Sequence, residues 1–84
     1  MTEAQSMTER GKAIVRAVGD GAMSLRRASC VLTSETAVAS ELGCEDDAGV
    51  KEWIYRPALR LYEHEHGDWT EEQVRATFAA WVRP

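Results

Sequence analysis

Apolar residues recur at helical spacing along most of this 84-residue chain. Met7, Ile14, Val15 and Val18, with Gly11 among them, share one face of a first predicted helix. Ser6, followed three residues later by Glu9, reads as the capping box that starts it. Gly19 in the "GDG" tract supplies the left-handed residue that stops it. Leu25, Ala28 and Leu32 predict a second helix that begins at Ala22 or Ser24 and ends near Leu32. Ala37, Val38 and Leu42 predict a third, short helix behind a Thr33 or Ser34 cap, stopping at Gly43. Asp46 or Asp47 is placed to cap the element that follows.

The longest stripe holds a proline. Val50, Trp53, Ile54, Pro57, Ala58 and Leu61 fall at i, i+3, i+4, i+7, i+8 and i+11. Pro57 has no N–H for the Trp53 carbonyl, and its ring crowds the preceding turn. Either one helix bends over residues 53–57, or a first helix ends near Tyr55 and a second begins at Pro57, where proline is tolerated. The continuous, kinked helix fits the unbroken stripe better. Thr70 and Gln73 form a further capping box, with Trp69 against Val74 as a hydrophobic staple. Val74, Phe78, Trp81 and Val82 make the apolar face of the last helix. The short "EHGDW" link implies an antiparallel hairpin, whose seam would cover Trp53, Phe78 and Trp81. Strand patterns are nearly absent. The fold class is therefore all-α: one compact bundle of four to five short helices over residues 1–84, with 1–5 disordered, a helix kinked at Pro57 and an antiparallel C-terminal hairpin as its most stable part.

Length changes the picture first. A core from 84 residues only narrowly offsets the entropy of ordering the chain, which favours help from a partner or a second copy. No 18-residue apolar window predicts a membrane span. The acid-bearing start "MTEAQSMTERGK" lacks a signal-peptide core, so a cytoplasmic location is expected. Cys30 and Cys44 are then expected to be reduced. Their spacing, and that of His64 and His66, does not match zinc-ligand patterns, so no metal or other cofactor is expected.

Charge comes next. The net charge is −4. Residues 1–42 balance five acids with five bases, whereas residues 43–84 carry nine acids and five bases. That excess weighs against generic nucleic-acid binding by the C-terminal half and leaves it open for the N-terminal half.

Several stretches invite chemistry. "SLRRASCVLTSETAVASELG" suggests a helix-turn-helix over residues 22–43, but its second helix carries Glu35 and Glu41 and no base. In that alternative, Arg10, Lys12, Arg16, Arg26 and Arg27 are the phosphate contacts. "LRRAS" matches a basophilic kinase pattern at Ser29, but the motif is short and frequent by chance, and an exposed basic turn explains it better. "YEHEHGD" gathers Glu63, His64, Glu65, His66 and Asp68 without a nucleophile, and reads as a solvated helix end rather than an acid–base centre. The acids of the C-terminal half also permit an acidic decoy that imitates nucleic-acid phosphates.

All six aromatic residues lie between Trp53 and Trp81. Trp53, Tyr55, Leu59 and Tyr62 at the bend are the candidate partner-binding residues, since Tyr and Trp anchor interfaces. The favoured function is a small, non-enzymatic interaction or regulatory protein that binds another protein, or itself, through that surface.

Overall fold

A computed structural model describes residues 2–83. The elements are α1 (Glu3–Gly19), α2 (Leu25–Leu42), α3 (Ala48–Val50), a wide π turn (Lys51–Tyr55), α4 (Arg56–Glu65) and α5 (Glu71–Val82). No strand occurs among the described residues, so the all-helical bundle is observed.

The first helix starts one turn earlier than its pattern predicts. Thr2 caps it, with Gln5 as the reciprocal partner of a capping box, so residues 3–5 form its first turn instead of a disordered lead. Thr2 and Gln5 satisfy two orphan amides, leaving Ser6 and Glu9 inside the helix. The stop also moves. Gly19 is the last helical residue, and the left-handed position is Gly21, with φ +76°. Gly21 N–H donates to the Val18 carbonyl at 3.1 Å and Ala22 N–H to the Ala17 carbonyl at 2.8 Å, the Schellman arrangement.

The expected second and third helices are one. α2 runs unbroken from a Ser24 cap to Gly43, so no turn interrupts residues 22–43 and no helix-turn-helix forms. Leu32, Thr33 and Ser34 contain no Gly or Pro to stop the helix. Thr36 Oγ1 donates to the Thr33 carbonyl at 2.7 Å, so this polar stretch bonds within the helix. Leu25, Ala28, Leu32 and Ala39 then share one buried face.

From residue 48 to 65 the chain is one composite helix, and Pro57 explains its middle. Asp47 caps it through Oδ1 and the Val50 amide at 3.0 Å. Arg56 N–H reaches back five residues to the Lys51 carbonyl, which makes the turn wide. Glu52's carbonyl, left over by that widening, accepts Arg56 Nε at 3.1 Å. Pro57 then lies in the first turn of α4. The two sequence alternatives merge: the helix continues, and proline occupies a starting position within it.

The Trp53 carbonyl, for which Pro57 offers no N–H, faces α1. A methyl on Gly11 would overlap that oxygen, lying 2.7 Å from the Trp53 carbonyl carbon and 2.9 Å from Ile54 Cδ1. Only glycine lets the two backbones approach so closely, with the oxygen within Cα–H···O reach.

α4 and α5 run antiparallel, Arg56 beside Trp81 and Arg60 beside Thr77. The hairpin seam is nevertheless narrow. α5 packs most extensively along α1, and α4 packs on α2. Phe78, Met7, Leu32, Ile54 and Leu61 fill the centre. The broadest helix pairing is thus α1 with α5, and the C-terminal hairpin is the narrower one. Arg75 locks that pair: Nη1 donates to the Val18 carbonyl at 2.9 Å and the Met23 carbonyl at 3.0 Å. Nη2 holds Glu71 at 2.8 Å.

Candidate functional site

α4 turns Pro57 and Leu61 inward, and this leaves two flanks of opposite character. One carries Tyr55, Leu59, Tyr62 and His66, which follow each other at intervals of three or four residues. The other carries Arg56, Arg60 and Glu63.

On the first flank, Tyr55 leans against α2. Its hydroxyl donates to the Thr36 carbonyl at 3.3 Å. Burial pushes the phenol pKa above its ordinary value, and Glu45 and Asp46 add to that shift. Leu59 and Tyr62 point outward, each 58% exposed. Tyr62 stacks on His66, with ring centroids 4.2 Å apart, and His66 Nδ1 donates to the Tyr62 carbonyl at 2.9 Å. These contacts hold Tyr62 in place, so less freedom is lost when a partner covers it.

The second flank interleaves cations and indoles. Arg56 Cζ lies 3.7 Å from the Trp81 ring centre and 5.4 Å from that of Trp53. Arg60 Cζ lies 4.2 Å from the Trp69 ring centre and 5.5 Å from that of Trp81. Lys12 Nζ completes the row, 5.6 Å from the Trp53 centre. Each pairing is worth roughly 0.5–2 kcal/mol, depending on its exposure. Glu63 closes the far end: it accepts from Trp69 Nε1 at 3.2 Å and lies 3.7 Å from Arg60. His64 Nδ1 donates to the Trp69 carbonyl at 2.7 Å. A carbonyl can only accept, so Nδ1 carries the proton on both histidines. The "YEHEHGD" cluster is therefore a clasp that ties the α4 end to the following turn. Gly67, with φ +88°, allows that turn.

The four expected partner-binding residues do not share one surface. Leu59 and Tyr62 stand together in solvent, and Tyr55 sits at their inner margin. Trp53 belongs to the opposite flank, half-buried between Lys12 and Arg56. Trp53 belongs to the apolar stripe with Ile54 and Pro57, on the face away from Tyr62, and its nearness to the bend does not bring it to the outer flank.

The five expected phosphate contacts are also dispersed. Arg10 is committed to Glu35 on α2 through two bonds of 2.9 and 3.0 Å, which raises its pKa above the ordinary arginine value. Lys12 and Arg16 line a recess with Trp53 and Trp81. Arg26 lies beside Leu61 and His64 at the opposite end of α4. Arg27 is exposed in the first turn of α2. An acidic decoy meets a similar difficulty, because Glu52, Glu63 and Glu71 of the C-terminal half lie within ion-pair distance of Arg56, Arg60 and Arg75.

Arg56, Arg60 and Arg75 went unrecognised in the sequence. The available signal was Arg56 and Arg60, four residues apart in a tryptophan-rich segment. Their partners Trp69 and Trp81 lie across a turn that spacing alone does not register. Ser29 Oγ donates to Glu65 at 2.9 Å, tying α2 to α4. Cys30 and Cys44 are free thiols. Among the described residues, no group of three His, Cys, Asp or Glu side chains is placed to hold a metal ion. No described helix is long and apolar enough to cross a membrane. Compared with protein-family models, curated proteins and solved structures, the chain matches none.

Proposed function

We propose that this chain is a small, non-enzymatic binding protein that engages another protein through the outer flank of α4. Leu59 and Tyr62 are the anchors, and Tyr55 forms the inner margin. One observation carries the reading: two large apolar side chains, adjacent at i and i+3, each leave more than half of their surface in water. Covering both is worth ~4 kcal/mol before the costs of association. Helical anchors at this spacing suit a groove or a second helix on the partner.

Photo-crosslinking tests this. Benzoylphenylalanine placed at position 59 or 62, in the cells that make the protein, should give the same protein adduct from both sites. Position 13, exposed on α1, should give none. Leu59→Glu should abolish the adduct formed from position 62. Adducts between copies of the chain would name a second copy as the partner. Equal labelling from position 13, or no adduct at all, refutes the proposal.

A further inference from the structure

A shallow recess of about 190 Å³ opens where α1 meets the π turn and the end of α5. Lys12, Arg16, Trp53, Trp81 and Val82 line it. Lys12 and Arg16 are four residues apart on α1, so two like charges face the same opening. Such a pair opposes helix formation slightly. Neither cation is well neutralised. Glu9 lies 4.0 Å from Lys12, at the limit of an ion pair. The Arg16 guanidinium has no ion pair among the described residues. Behind them, Arg56 reaches across Trp53 and Trp81, which places a third positive charge near the same wall. This positive island is set in a chain of net charge −4.

From this geometry we infer that the recess binds a small organic anion: a carboxylate or phosphate head on an apolar body of about one ring. The head sits between Lys12 and Arg16. The body lies against Val82 and the edges of the two indoles. The volume falls below that of pockets for whole cofactors or drug-sized ligands, which limits the occupant to roughly one ring and its head group. Carboxylates at both edges, Glu9 beside Lys12 and Glu52 3.9 Å from Arg56, disfavour an extended polyanion such as nucleic acid and tolerate a single anionic head group. The site is separate from the Leu59–Tyr62 flank and does not depend on that surface having a partner.

Phenyl phosphate is the probe, with inorganic phosphate and phenol as its two halves. NMR of the indole N–H groups reports binding at each tryptophan. Phenyl phosphate should shift the Trp53 and Trp81 signals in a saturable way and leave Trp69 nearly still. Each half alone should bind at least ten-fold more weakly. Lys12→Gln/Arg16→Gln should weaken phenyl phosphate at least ten-fold, while Arg27→Gln should not change it. If the double variant unfolds, Arg16→Gln alone should still weaken binding several-fold. The inference is overturned if there is no saturable shift, if inorganic phosphate or phenol binds equally well, or if the glutamine variants leave affinity unchanged. A short oligothymidylate that binds the same recess more tightly than phenyl phosphate also overturns it, in favour of a nucleic-acid site.

Discussion

Gly11→Ala should destabilise the protein, although in an exposed helix the same change is favourable by about 1 kcal/mol. The sign reverses because of what lies opposite. The added methyl overlaps the Trp53 carbonyl oxygen, and its nearest other neighbours are the Trp53 carbonyl carbon at 2.7 Å and Ile54 Cδ1 at 2.9 Å. Ile54 could rotate, but a backbone carbonyl inside a helix cannot. α1 and the π turn must therefore separate by roughly 1 Å to regain ordinary contact distances. That loosens packing around Met7 and Ile54, both fully buried. Overpacking of this kind costs ~1–3 kcal/mol, and a residue that can shift only with its whole helix belongs near the upper end. Set against the intrinsic gain, the net loss is about 2 kcal/mol, or a Tm lower by ~10 °C for a domain of this size. Urea denaturation with circular dichroism measures it. Ala13→Gly, on the exposed face of α1, gives the propensity scale in the same helix. Pro57→Ala gives a second axis. Restoring an N–H at residue 57 draws the Trp53 carbonyl back into its own helix, so the Gly11→Ala penalty should shrink in the Pro57→Ala background. A Gly11→Ala protein as stable as the parent, with an unchanged urea slope, would refute the close approach. A penalty unaffected by Pro57→Ala would refute its cause.

Other changes probe other contacts. Arg75→Met leaves the Met23 carbonyl without its charged donor and weakens the end of α1; it should cost about 2 kcal/mol in urea melts. Glu71→Gln, at the exposed side of the same arginine, should cost under about 0.5 kcal/mol. Thr70→Ala removes the cap and half the box at the start of α5 and should cost about 1 kcal/mol, read as a lower Tm. For Tyr55, a folded-state pKa above the usual value means that its contribution is complete below pH ~10 and is lost as pH rises through the folded value. Stability measured above pH ~10 should therefore fall more steeply in the parent than in Tyr55→Phe, and parallel curves would contradict the assignment.

Helix identity was readable wherever apolar spacing and a cap agreed. α5 is the plainest case, with Thr70, Gln73, Val74 and Phe78 all in their expected roles. Boundaries moved where the chain offered two equivalent signals. Thr2 and Ser6 both resemble caps, and the earlier one wins because it adds a turn of helix. Gly19 and Gly21 both resemble stops, and Gly21 takes that role because Gly19 is pressed against the Ala79 backbone, 2.8 Å from where a methyl would stand. Joining two expected helices into α2 follows from a turn that Thr33 and Ser34 permit but do not require. The candidate surfaces were less readable. Spacing places Leu59 and Tyr62 side by side and already sets Trp53 on the other face, so sharing the bend is too weak a reason to group it with them. The cation–indole row depends on α4 and α5 lying antiparallel at one particular register, which a linear pattern does not specify.

The α1–α5 pairing has a consequence for synthesis. α1 is made about fifty residues before α5, its broadest neighbour, so the part of its hydrophobic side that α5 covers stays open while those residues are added. At ribosomal speeds of ~5–20 residues per second, that exposure lasts for some seconds. Met7, Val15 and Val18 are then the side chains a nascent-chain chaperone would meet, and an early stop codon that removes only α5 should yield an insoluble product, even though most of the chain is intact.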